Sequence, residues 1–201
     1  MPDAGRVIAG SARGVRLAGP GTGTRPLADR VKQAVFAALE PDLPGAAMLD
    51  LFAGSGAAGI EALSRGAARA VFVDRDAGAV SVIRENLRRA GFADERARVV
   101  KAEALAWLRR EAPAHGPFDV VFVDPPYDDP QVAGRVVVAL AAADAPLGPD
   151  ARVVVKHFWR DRPAAPDGLL ASERERRFGE TALTFFRRRS SPTAAESREG
   201  G

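Results

Sequence analysis

The chain falls into two regimes of hydrophobic patterning. From Ala46 onward, short apolar runs alternate with stretches of helical spacing. The runs cover residues 47–52, 70–73, 98–100, 120–123 and 152–155, and each is apolar or β-branched almost throughout. That is the pattern of strands buried on both faces. Between them, residues 57–65, 77–89, 104–110 and 131–142 carry helical spacing. The alternation predicts βαβ units and an α/β fold, a doubly wound and mostly parallel sheet with the strand order 3-2-1-4-5. Residues 174–177, the turn Phe178-Gly179-Glu180 and residues 181–187 predict an antiparallel hairpin closing that sheet.

Before Ala46 the pattern is weaker. Residues 6–9 and 15–17 are short strand candidates around the turn-forming Gly10-Ser11-Ala12-Arg13-Gly14. Val31, Ala34, Val35, Ala38 and Leu39 recur at helical spacing and predict a helix over 29–40, ended by Pro41 and Pro44-Gly45. Three regions follow: a basic N-terminal arm and helix over 1–45 with no core to build, a doubly wound domain over 46–189, and a polar, aperiodic tail over 190–201 expected to be disordered.

Composition narrows the chemistry. The 201 residues are 46% hydrophobic and suffice for one domain with its own core. There are no cysteines, which removes disulfide scaffolds, thiolate-bound metals and thiol nucleophiles. The only histidines are His115 and His157, without metal-ligand spacing, so no metal is expected. The longest apolar run, 136–143, has eight residues against the roughly 20 that a membrane span needs. With no signal-like start, the expectation is a soluble, cytoplasmic monomer that has no membrane partner.

The net charge is only +3, yet 26 of the 29 basic residues are arginine, because Lys32, Lys101 and Lys156 are the only lysines. Residues 1–32 hold Arg6, Arg13, Arg16, Arg25, Arg30 and Lys32 against Asp3 and Asp29. That excess points weakly to an anionic partner.

The first motif with chemistry in it is Gly54-Ser55-Gly56-Ala57-Ala58-Gly59, a GxGxxG between a predicted strand and helix. Such a loop lets the backbone approach a ligand at the helix N-terminus. Asp74 ends the next strand twenty residues later, where a carboxylate can accept ribose hydroxyls. Nicotinamide, flavin and S-adenosylmethionine (AdoMet) sites all share this arrangement. Asp50, four residues before Gly54, favours AdoMet: a carboxylate there suits a methionine ammonium and repels a pyrophosphate. The second motif is Asp124-Pro125-Pro126-Tyr127, directly after the fourth strand. In the predicted sheet it faces the glycine loop across the switch point.

These two motifs together resemble the class I AdoMet-dependent methyltransferases that modify exocyclic amino groups of bases. The resemblance narrows through Arg6-Val7-Ile8-Ala9-Gly10 with Arg13-Gly14, Thr24-Arg25-Pro26, Asp29-Arg30-Val31-Lys32, Phe52-Ala53-Gly54-Ser55-Gly56 with Gly59, and Glu61-Ala62-Leu63-Ser64-Arg65-Gly66. Phe178-Gly179 with Thr181 and Leu183 completes it. Over residues 6–187, in this order, the chain is similar to the bacterial guanine-N2 methyltransferases of 16S ribosomal RNA. It departs from them at Leu27 or Ala28, where members usually have Thr, and at Gln33, where they have Glu. It departs again at Lys156-His157-Phe158-Trp159, where an acidic residue is common.

The resemblance implies AdoMet as cofactor, held by Asp50, Phe52, Ala53, Gly54, Ser55, Gly56, Asp74, Arg75, Glu103 and Ala104. It implies catalysis by Asp124, Pro125, Pro126 and Tyr127, with Asp124 and the Pro125 carbonyl accepting from the target amine and Tyr127 stacking on the extruded base. The partner is 16S rRNA, as the small subunit or its precursor, with Arg13, Arg16, Arg25, Arg30 and Lys32 on phosphates. Three rivals are an adenine-N6 or other nucleic-acid amino-methyltransferase, an RNA-binding module with an inactive Rossmann-like core, and an oxidoreductase.

Overall fold

The computed structural model describes residues 3–21, 29–126, 129, 131–164 and 168–189. Arg25, Leu27, Ala28, Tyr127 and the 190–201 tail lie outside the described residues.

The sheet has seven strands: β3 (Ala47–Leu51), β4 (Arg69–Asp74), β5 (Ala97–Lys101), β6 (Phe118–Val123), β7 (Leu147–Phe158), β8 (Leu170–Phe178) and β9 (Thr181–Arg188). Their order is β5-β4-β3-β6-β7-β9-β8. Neighbours from β5 to β7 are parallel, and β7, β9 and β8 pair antiparallel. The predicted order and closing hairpin are therefore both present. The chain winds outward from β3 to β5, then returns to the other side of β3 at β6. This reversal opens a crevice beyond the C-terminal ends of β3 and β6, where doubly wound sheets bind ligands.

Helices α2 (Ala57–Ser64), α3 (Ala77–Ala90), α4 (Ala104–Arg110) and α5 (Val132–Ala141) fill the crossovers. The boundary of α3 shows why the chain turns where it does. The Asp76 carboxylate accepts from Ala79 N at 2.7 Å, and Gly91, at φ 76°, returns its N–H to Arg88 at 3.2 Å. The helices α4 and α5 cover one face of the sheet, with Trp107, Val136 and Leu140 against Leu49, Val121 and Val153. On the other face Ile60, Leu63 and Ile83 pack with Met48, Phe72 and Phe122. No helix among the described residues is long and apolar enough to cross a membrane.

The N-terminal segment departs from expectation. It consists of β1 (Asp3–Arg6), antiparallel to β2 (Arg16–Ala18), and α1 (Asp29–Leu39). Its Ala4, Val7, Leu17, Val31, Val35 and Phe36 are buried in the same cluster as Ile60, Phe72 and Phe122. The segment therefore supplies one wall of the core. The helical spacing of Val31, Val35 and Leu39 announced α1 but not what it packs on, and the apolar residues of the hairpin before it are too few and too interrupted by glycine to show a period. The first strand also lies earlier than predicted: Ile8 and Ala9 give their N–H groups to the Glu61 carboxylate, at 2.7 and 3.0 Å, instead of to a strand partner. Gly10 then passes so close to α2 that a Cβ there would sit 1.7 Å from the Ser64 carbonyl oxygen. Ser11 N donates to that same oxygen at 2.8 Å.

Candidate functional site

The crevice is built by backbone first. After β3 the chain enters the loop at Phe52 with φ 61°, a left-handed conformation that costs a bulky residue on the order of 1–3 kcal/mol. The strain is held by Ala53 N donating to Val73 O at 3.1 Å and Gly56 N to Ala53 O at 2.7 Å. Helix α2 then starts without a side-chain cap of its own. Its third glycine is needed for packing: a Cβ on Gly59 would lie 2.2 Å from the Phe72 ring.

Three carboxylates converge here. Asp50 is 2% exposed, and its Oδ2 accepts from Gly59 N at 2.9 Å, serving an otherwise orphaned donor in the first turn of α2. Burial pushes its pKa well above the usual carboxylate range. The Gly59 N–H opposes that shift, while the negative charges of Asp124 and Asp74 reinforce it. A cation placed beside Asp50 would favour its ionised form. Asp74 accepts from Gly54 N at 2.8 Å and from Asp76 N at 2.9 Å, so it fixes the loop while standing at its mouth. Asp124 follows β6, its N–H on Leu51 O at 3.3 Å, with Pro125 buried and Pro126 exposed beside it.

The predicted cofactor residues are thus together around the ends of β3, β4 and β5, with exposed Arg75 next to Asp74 and buried Ala104 opening α4. Glu103 caps α4, accepting from Leu105 N at 3.0 Å and Ala106 N at 2.7 Å.

Two residues whose part the sequence left open or unmarked complete the site. Lys156, on β7 beside Asp124, places Nζ 2.5 Å from Asp124 Oδ1. Burial raises the Asp124 pKa, and the Lys156 ammonium works against that rise. Asn86 of α3, fully buried, donates to Ser55 O at 2.9 Å and to Ala18 O at 2.8 Å, and accepts from Ala18 N at 2.8 Å. It ties the N-terminal hairpin to the glycine loop. Its only signal in sequence was an amide on the apolar stripe Val82, Ile83, Leu87.

Of the proposed phosphate contacts, Lys32 is corrected. It is 0% exposed, its Nζ hydrogen-bonded to Arg6 O and 3.9 Å from Glu61 Oε2, so it neutralises a buried carboxylate and presents nothing to a phosphate. Arg16 is exposed but paired with Asp3 at 2.6 Å. Arg13 is exposed, and Arg30 is exposed above the Phe178 ring at 6.0 Å. His157 is buried between Phe158 O and Thr184 Oγ1, each at 2.8 Å, and His115 stacks on Trp107.

A family model described as "Conserved hypothetical protein 95" matches residues 5–187. The chain belongs to this family. It is 35% identical over 185 residues to the "Putative rRNA methyltransferase YlbH" of Bacillus subtilis, covering 92% of this chain and 99% of that protein. Over 123 residues it is 42% identical to the "Ribosomal RNA small subunit methyltransferase D" of Escherichia coli, covering 61% of this chain and 60% of that one. The solved "Putative methyltransferase yhhF from Escherichia coli" superposes with a TM-score of 0.78 at 34% identity, covering 92% and 98% of the two chains. The architecture of this Conserved hypothetical protein 95 member is accordingly that of class I methyltransferases.

Proposed function

We propose that the protein is an AdoMet-dependent rRNA methyltransferase that acts on the exocyclic N2 amine of a guanine in the small-subunit RNA. The observation that carries this reading is the meeting of Asp50 and Asp124 across the crevice, one buried beside the glycine loop and the other backed by Lys156. The residues fit the cofactor: Asp50 for the ammonium of its methionine part and Asp74 for its ribose. Bound AdoMet supplies an activated methyl group whose transfer neutralises the sulfonium charge.

The chain's part is then positioning and electrostatics. A guanine amine is a poor nucleophile because its lone pair is delocalised into the ring. Asp124 and the Pro125 carbonyl accept the two amine hydrogens, which localises the lone pair and offsets the positive charge developing on nitrogen. Lys156 holds Oδ1 of Asp124 and leaves Oδ2 to face the amine. Tyr127 stacks on the extruded base. Asp124 takes the proton the nitrogen sheds and passes it to solvent. Arg13 and Arg30 remain as arm contacts to phosphates, with Arg25 assigned to the same set.

The test is incubation with labelled AdoMet and unmodified small-subunit particles, followed by mass spectrometry of the nucleosides. N2-methylguanosine is expected. N6-methyladenosine in its place gives the reaction to the adenine rival, and absence of any labelled nucleoside sinks the enzyme reading.

A further inference from the structure

We propose that the rim of the β8–β9 hairpin, formed by Arg176, Arg177 and Phe178 with Trp159, Arg160 and Arg30, is a docking surface for RNA beside the target nucleotide. This rests on the reading of the substrate as RNA.

The arm offers fewer free cations than its sequence suggests, because Lys32 is buried and Arg16 is paired with Asp3. The hairpin offers what the arm lacks. Its register brings the end of β7, the start of β9 and the end of β8 side by side, through Phe158↔Thr181 and Thr181↔Phe178. That is the end of the sheet where Asp124 stands. One row further in, Lys156↔Leu183 and Leu183↔Arg176 run from the catalytic aspartate to the sheet edge on a single face. Arg176 thus continues the site on that face, while Arg177, in register with Ala182 and through it with His157, leaves the strand on the other face and meets Trp159 at the rim.

Its chemistry suits a polyanion carrying bases. Two guanidiniums lie against the Trp159 ring, Arg177 at 3.8 Å and Arg160 at 4.8 Å, and Arg30 lies over Phe178. A guanidinium held on a ring keeps its charge and loses little entropy on binding, and Arg177, which gives Nε–H to Gly179 O at 2.8 Å, still has the donors of its two terminal nitrogens. Arg176 and Arg177 are exposed and have no ion-pair partner among the described residues. Charges alone on an edge strand can serve to block strand pairing. That purpose needs no aromatic support, and glutamates would meet it equally well. A protein partner would call for an apolar centre, whereas among the described residues the large hydrophobic side chain found exposed is Val138 of α5.

The experiment uses the chain's two tryptophans, Trp159 and Trp107, the latter 1% exposed. In a Trp107→Phe background, Trp159 alone reports. Titration with a transcript of small-subunit rRNA should change its emission. Replacing both Arg176→Gln and Arg177→Gln should weaken binding several-fold and lower the salt slope by about one and a half to two, the loss of two phosphate contacts. Arg109→Gln with Arg110→Gln, at the end of α4, should leave the slope as it is, and all variants should keep AdoMet affinity. The inference is overturned by an unchanged slope in the hairpin variant, by an equal effect of the α4 pair, or by unaltered Trp159 emission at saturating transcript. Emission that responds to assembled particles but not to the transcript assigns the rim to protein and also overturns it. Failure of the hairpin variants with methyl transfer intact removes this surface alone. Failure of the wild type to bind any RNA removes the RNA reading as well.

Discussion

Lys156 Nζ lies 2.5 Å from Asp124 Oδ1, so the aspartate closing β6 is paired with the one lysine of β7. The two strands set this contact: Val123 is in register with Val155, and the next residue of each turns to the same side of the sheet. The pair matters because burial raises the Asp124 pKa while the ammonium opposes the rise. Asp124 and Asp74 in turn help to raise the pKa of buried Asp50 in the same crevice.

Lys156→Met should therefore move the acid limb of the pH–rate profile. Asp124 must be ionised to accept from the amine, and loss of its cation leaves desolvation unopposed. Its pKa rises, so activity that is full above that pKa starts to fall at higher pH than in the wild type. A nearby opposite charge typically shifts a carboxylate by about one to three units, and the limb should move upward by that order. Lys156→Arg should keep the limb near its original place. Single-turnover methyl transfer across pH reads both, and coincident profiles for wild type and the Met variant would show that Lys156 does not set the charge of Asp124.

Asp50 gives a trade between stability and binding. Its folded pKa is raised, so below the unfolded value of 3.8 the acid is protonated in both states and costs nothing. As pH rises past 3.8 the unfolded chain ionises first, and stability is lost until the folded pKa is passed. Asp50→Asn removes that loss and still accepts from Gly59 N. The variant should melt higher than the wild type near neutral pH without ligand, yet bind AdoMet about ten- to a hundredfold more weakly, since a charged hydrogen bond is worth roughly 1.5–3 kcal/mol. Calorimetric melting and titration read the two halves separately. A lower melting point with full affinity would contradict both.

Asn86→Ala should destabilise the fold and loosen the glycine loop together. Three backbone groups, Ala18 N, Ala18 O and Ser55 O, lose their partner in a fully buried setting. The expected cost is on the order of 2–4 kcal/mol. Denaturant unfolding measures it, and the loss should be smaller in saturating AdoMet if ligand restores order to the loop. An unchanged unfolding midpoint would mean that the arm and loop are held by other bonds.

The legible and illegible parts of this chain divide along physical lines. Strand order and the crevice were readable because β3, β4 and β6 are apolar runs bounded by helical spacing, and their crossovers admit one hand. The places of Asp50, Asp74 and Asp124 were readable because Asp50 stands four residues before Gly54, Asp74 closes β4 and Asp124 follows directly on β6. The N-terminal wall was not, since Val7, Leu17 and Phe36 join the core only through contacts from distant α2 and α3. Lys32 misled for the same reason. A lysine in a basic run looks solvated until Glu61, from another element, is seen beside it. The part of Lys156 stayed open because its partner belongs to a neighbouring strand 32 residues away.

Asp124→Ala should abolish turnover while AdoMet binding is nearly preserved. Asp124 stands across the switch point from the glycine loop, and its proposed work is done on the target amine, so its removal belongs to the chemical step. Losing one well-placed acceptor typically costs about a hundred- to a thousandfold in rate. Asp124→Asn should be milder, because an amide oxygen still accepts from the substrate amine or from Lys156. The two variants separate charge from geometry: if charge compensation dominates, Asn falls close to Ala, and if lone-pair alignment dominates, Asn stays close to the wild type. Single-turnover transfer to small-subunit particles under saturating AdoMet measures both, with titration calorimetry confirming occupancy. An Ala variant at near wild-type rate would reduce the Asp124-Pro125-Pro126 turn to a strand terminator and withdraw the mechanism.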